Sequence, residues 1–123
     1  MVEEEIRGSM YEYNATVDRV VDGDTVDVIV DLGFSVMTKQ RLRVSRVDTP
    51  EVRGPERPDG LVSKKFVEMV IPPGSPVVVM TTKDKKGKYG RYLAEILFHD
   101  GDGELMNLSN LLLEEGLAKQ YGV

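Results

Sequence analysis

The stretch Arg19–Val30, RVVDGDTVDVIV, decides how this chain begins to fold. Two β-branched runs flank Asp22-Gly23, a dipeptide that readily closes a tight hairpin. Beyond it, Val26, Val28 and Val30 alternate with Asp27, Ile29 and Asp31, the period-two pattern of a strand with one buried face. Asp24 shares the parity of the valines, so a carboxylate continues the core-facing row at the strand's first position. An inward carboxylate is costly unless something positive compensates it. That points to a metal cation or an arginine.

On the N-terminal side, Tyr11–Val21 (YEYNATVDRVV) reads as a first strand with Tyr13, Ala15, Val17 and Arg19 on one side. On the C-terminal side, Leu32-Gly33 is a second turn and Met37–Val47 a third strand. Asp48-Thr49-Pro50-Glu51 ends that strand, because proline cannot donate to a ladder and biases Thr49 towards extended geometry. VRGPERPDG (Val52–Gly60) is a polar loop. Leu61–Val70 has helical spacing, with Leu61, Val62, Lys65, Phe66 and Met69 on one side, and Pro72-Pro73-Gly74 stops it. Val77–Thr82 and Arg91–Phe98 read as strands around KDKKGKYG, and Asp100–Gly103 as a turn. Asn107–Glu115 is a helix capped by Asn107, with Gly116 at its C′ position. The order β-β-β-α-β-β-α, mainly β with two helices, is that of a five-stranded OB-fold barrel.

A length of 123 residues suits one domain, and no run approaches the roughly 18 apolar residues of a membrane span. There is no cysteine, which excludes disulfides and thiolate metal sites. MVEEEIRGSM lacks a signal-peptide core, and Gly8-Ser9 before Met10 resembles a cloning scar. Residues 1–9 are therefore expected to be a tag, residues 10–123 a single domain, and the protein cytoplasmic and monomeric, with no membrane or obligate protein partner. The net charge is −5; residues 1–9 account for −2 of it. A mildly acidic domain is not an obvious nucleic-acid binder. The total, however, hides a basic hairpin in which Lys83, Lys85, Lys86, Lys88 and Arg91 surround Tyr89.

Asp24 and Asp48, with the Thr49 carbonyl and Glu51 beside them, supply the oxygen donors a hard cation prefers. Arg41 and Arg43, two apart on the third strand, can grip a phosphate. Carboxylates, arginines and a lysine-rich loop beside an aromatic are together the parts needed to hydrolyse a phosphodiester.

VVDGDTVDV, RVSRVDTPE and DKKGKYGRYLAEI resemble, in order and spacing, three signature segments of the staphylococcal (micrococcal) nuclease family, and LLLEEGLAKQY resembles the helix that closes its barrel. The resemblance spans about Tyr11 to Tyr121. It implies a Ca²⁺-dependent hydrolysis of DNA, and of RNA, leaving 3′-phosphate ends. By position it implies Asp24, Asp48 and the Thr49 carbonyl as calcium ligands and Glu51 as the general base. Arg43 and Arg91 would hold the scissile phosphate, and Lys88 and Tyr89 would contact the nucleotide's terminal phosphate. This sequence departs from the family in a shorter loop after Glu51 and in keeping only Tyr121 of the C-terminal aromatics that help stack the base.

Plainer readings stand beside these. Asp22-Gly23 builds a turn and carries no chemistry. Arg41, Lys83, Lys85 and Lys86 are solvated cations, and His99, the one histidine, lacks triad partners. Asp100-Gly101-Asp102-Gly103 fails as an EF-hand, because its sixth and twelfth positions would be Leu105 and Leu111. The rival to a nuclease is a non-catalytic OB-fold module that binds single strands or a protein; that module would not need the acidic groups and both arginines.

Overall fold

The computed structural model describes residues 11–83 and 92–121; the expected tag at 1–9 and three predicted site residues, Lys88, Tyr89 and Arg91, lie outside them. Three strands, β1 (Tyr11–Asp22), β2 (Thr25–Asp31) and β3 (Met37–Val44), form the expected antiparallel meander. β5 (Pro76–Lys83) pairs with β1, and β6 (Tyr92–His99) with β5. The barrel closes where Leu42–Val44 of β3 run parallel to Tyr92–Ala94 of β6. Closure of these five strands removes the free sheet edge, so the OB-type prediction holds.

Smaller elements decorate this frame. β4 (Val47–Asp48) pairs with β8 (Lys119–Gln120), and β7 (Leu105–Asn107) extends β6 beyond the Asp100–Gly103 turn. The helices are α1 (Arg57–Val70) and α2 (Leu108–Glu114). Asn107 caps α2 as predicted, its side-chain oxygen accepting from the Asn110 N–H at 3.2 Å, and Gly116 takes the left-handed conformation after it. No helix among the described residues is long and apolar enough to cross a membrane.

The barrel interior is aliphatic. Val26, Val28 and Val30 of β2 meet Val17, Val20, Leu42, Val44, Val79, Ala94 and Ile96, all buried. The row predicted for β1 needs correction. Register shifts interrupt its pairing with β2 between Val17 and Arg19 and again between Val20 and Asp22. The extra residue reverses the side-chain parity, so Val20 enters the core while Arg19 turns out to solvent.

Two further boundaries differ from expectation. β3 ends at Val44, because Ser45-Arg46 form a turn with Arg46 in the left-handed region at φ 69°, and Val47–Asp48 start again as β4. α1 begins at Arg57, with Pro58 in its first turn, where its missing N–H is harmless. Its buried face is Gly60, Ser63 and Val67, with Phe66 partly buried, whereas Val62 and Met69 are exposed. The helix packs against loop backbone, and small residues permit that approach where large ones would not.

Candidate active site

The ladder between β2 and β3 places Thr25 opposite Arg43. One step further, the Val44 N–H donates to the Asp24 carbonyl at 2.8 Å. The β1–β2 turn is thereby fixed to the end of β3, the segment that leads to Asp48. Asp24 is buried. Its Oδ1 accepts from the Thr25 hydroxyl at 3.1 Å, and its Oδ2 accepts from the Thr49 N–H at 3.1 Å. Arg43 Nη1 lies 2.9 Å from the same Oδ2, and Nη2 lies 3.5 Å from Asp48 Oδ1. Of the two compensating groups open to Asp24, the arginine is present. A single guanidinium lies between both carboxylates and offsets the charge of one.

Gly23 is required for space. Its φ is not positive; instead, a Cβ there would stand 2.9 Å from Thr49 Cγ2 and 2.9 Å from Ser63 Cβ. Gly60 is tighter still, since a Cβ would fall 2.1 Å from the Glu51 carbonyl oxygen. Ser63 donates to the Leu117 carbonyl at 2.8 Å. The small face of α1 is thus the floor on which the Asp22–Asp24 turn, Thr49 and the Glu51 backbone rest.

Glu51 is exposed, and its N–H donates to Glu56 Oε1 at 2.9 Å. It borders a cleft of about 170 Å³ shared with Asp48 and Thr49, and also a groove of about 790 Å³ on the outer face of the barrel. Among the described residues no three Asp, Glu or His groups converge as a ready metal cage, so Glu51 does not join Asp24 and Asp48 in one.

The donor set nonetheless fits a hard divalent cation. Asp24 and Asp48 approach each other closely enough to share one guanidinium, and their oxygens are the ligand type such ions take. The site also holds unspent polarity. The Thr49 hydroxyl is buried without a hydrogen-bond partner, and Arg43 Nη1 is buried with no directed hydrogen bond despite its closeness to Asp24.

Charges on the turn follow from this crowding. Burial, and then Asp24, raise the Asp22 carboxyl above the ordinary carboxylate value, while Lys64, Arg53 and Arg41 pull the other way. Asp22 faces Thr25 across the turn, which suits the structural part expected of it. Arg41 is more than a solvated neighbour: it grips Asp27 with two hydrogen bonds of 2.8 and 3.1 Å and lowers that carboxyl's pKa.

Of the predicted site residues, Asp24, Arg43, Asp48 and Thr49 come together, and Glu51 lies on the adjoining rim. Three contributors were missed or given another part in the sequence reading. Tyr121, expected only as a base-stacking aromatic, lies against Arg43, whose Cζ is 5.2 Å from the ring centroid. Gly60 and Ser63, three apart on a helix, carry the signal of close packing, but the larger apolar residues between them suggested a different face.

A closed barrel bearing an arginine between two aspartates beside the β1–β2 turn defines an OB-type domain with an acidic–arginine site. Residues 41–123 match the family described as Staphylococcal nuclease homologue; the chain belongs to that family. The match includes Arg43, Asp48, Thr49 and Glu51, while Asp24 precedes it. The chain is 30% identical over 118 residues to Endonuclease YhcR and 34% identical over 109 residues to Endonuclease YncB, both of Bacillus subtilis. It is 26% identical over 120 residues to Micrococcal nuclease of Shigella flexneri. These alignments cover 89%, 86% and 89% of this chain but only 9%, 47% and 59% of the three relatives.

Proposed function

We propose that this domain is a divalent-cation-dependent nuclease, with Ca²⁺ as the metal, that hydrolyses phosphodiester bonds of DNA, and of RNA, with little sequence specificity. The observation that carries this reading is that Asp24 and Asp48 converge on Arg43 at the end of β3 while the Thr49 N–H donates to Asp24, in a chain whose relatives are named as nucleases.

Asp24, Asp48 and the Thr49 carbonyl would hold the cation, which when bound supplies Lewis-acid neutralisation of phosphate charge. Glu51, exposed and free of any ion pair among the described residues, would take a proton from water as general base. Arg43 presents a planar fork that matches two phosphate oxygens, which lysine cannot do. Burial of that guanidinium strengthens its effect on charge that grows as the bond breaks. Arg91 is the second phosphate ligand in this reading, and Lys88 and Tyr89 contact the nucleotide's terminal phosphate.

Incubation of single-stranded DNA with calcium, magnesium or EDTA tests the proposal, alongside Glu51→Gln and Arg43→Ala. Each variant should cut about 10²–10³-fold more slowly than wild type. Circular dichroism melts of both variants separate lost chemistry from lost fold. Cleavage by wild type that ignores EDTA, or folded variants as fast as wild type, would end this assignment. Strand binding without cleavage would favour the binding module.

A further inference from the structure

We infer that the groove on the outer face of β1 and β3 is a second nucleic-acid subsite, which takes the sugar-phosphate backbone of a single strand as it leaves Glu51. The inference rests on the nuclease reading and extends it beyond the residues that do the chemistry. The groove measures about 790 Å³, a size that holds a substantial ligand, whereas the cleft beside Asp48 measures about 170 Å³. Glu51 borders both. A strand reacting at Glu51 therefore has room to continue in the larger space.

Its walls are cationic, although the chain as a whole carries −5. Arg19 comes from β1, Arg41 from β3, Arg53 from the loop before α1, and Lys64 from α1 itself. Only Asp22, Asp27 and Glu51 oppose them. Arg41 stands two residues from Arg43 on β3, so both side chains share one face, about 6.6 Å apart along the strand. The groove is thus the direct continuation of the site.

Asp27 accepts both hydrogen bonds from Arg41, and its Oδ2 lies 4.0 Å from Arg19 Nε. One carboxylate thereby steadies two guanidiniums while leaving a net positive charge. Arg53 and Lys64 make no ion pair among the described residues. Two steadied forks and two unpaired cations suit repeated phosphates on a flexible strand better than a single small anion.

The test is the salt dependence of binding to a fluorescein-labelled single-stranded oligothymidylate, measured in EDTA so that no cutting occurs. Each phosphate contact on a single strand contributes about 0.7 to the slope of log K against log salt. Lys64→Ala and Arg53→Ala should each lower the slope by about that amount. Lys65→Ala, which removes the same charge from the next, exposed position of α1, should lower it by much less. Equal slopes for Lys64→Ala and Lys65→Ala, or no strand binding by wild type, would overturn the groove. Wild type that binds with the expected slopes yet cleaves the strand with neither calcium nor magnesium added would refute the nuclease reading and leave the groove standing.

Discussion

At the scale of single residues, this site is built as much by absent side chains as by charged ones. Gly23 and Gly60 let the β1–β2 turn and the Glu51 backbone lie directly against α1 and Thr49. Gly60→Ala would force at least the Glu51 carbonyl to move, since backbone rather than a flexible side chain occupies the space at 2.1 Å. A displacement near 1 Å at a catalytic group costs on the order of 10²-fold in rate. Gly60→Ala should therefore lose cleavage by about that factor while remaining folded by circular dichroism. Undiminished cleavage would show that the Glu51 position does not depend on this contact. Arg43 illustrates the same economy: it bridges two carboxylates and carries Tyr121 on its face.

At the scale of elements, the Ser45-Arg46 turn between β3 and β4 sets the distance from Arg43 to Asp48. Arg46 holds a left-handed backbone there, an arrangement that persists only when its surroundings enforce it. Glu95 of β6 accepts two hydrogen bonds from the Arg46 guanidinium, both at 2.9 Å, another from Asn107 at 2.9 Å, and one from the Ser45 hydroxyl. Ser109 of α2 donates to the Ser45 carbonyl at 2.7 Å. The hydrogen bonds from Arg46, then those from Ser45 and Asn107, hold the Glu95 carboxyl at a pKa of about 2 against the opposing effect of burial. Folding lowers this pKa, so the stabilisation is complete above the ordinary value of 4.5 and is lost as pH falls towards 2. The loss should be on the order of 2 kcal/mol after allowance for solvent screening. Urea titrations at stepped pH should show Glu95→Gln less stable than wild type at neutral pH, with the gap closing below about pH 4. A constant gap across that range would remove Glu95 as the titrating group.

At the scale of the whole molecule, one core serves every wall of the barrel. Leu42 is 1% exposed and lies on β3, where the parallel pairing with β6 closes the barrel. Leu42→Ala should cost about 3 kcal/mol, and backbone and tyrosine signals should be lost together in a single urea transition. Separate transitions would mean that the barrel and the α1 floor unfold as distinct units. Much of this architecture is legible in the chain. Alternation in β2, the glycine and proline punctuation, and the Asn107 cap are local consequences of backbone preference, and they determine element type and order by themselves. The types and spacing of Asp24, Arg43, Asp48, Thr49 and Glu51 likewise mark a candidate site, of which the fold brings the first four together. Contacts between distant segments are not written in any local pattern. The β1 bulge reverses parity after Val17, α1 turns Gly60 and Ser63 to the interior, and Arg46 pairs with Glu95 from 49 residues away. Only the tertiary structure decides these, because each depends on which surface arrives opposite once the barrel has closed.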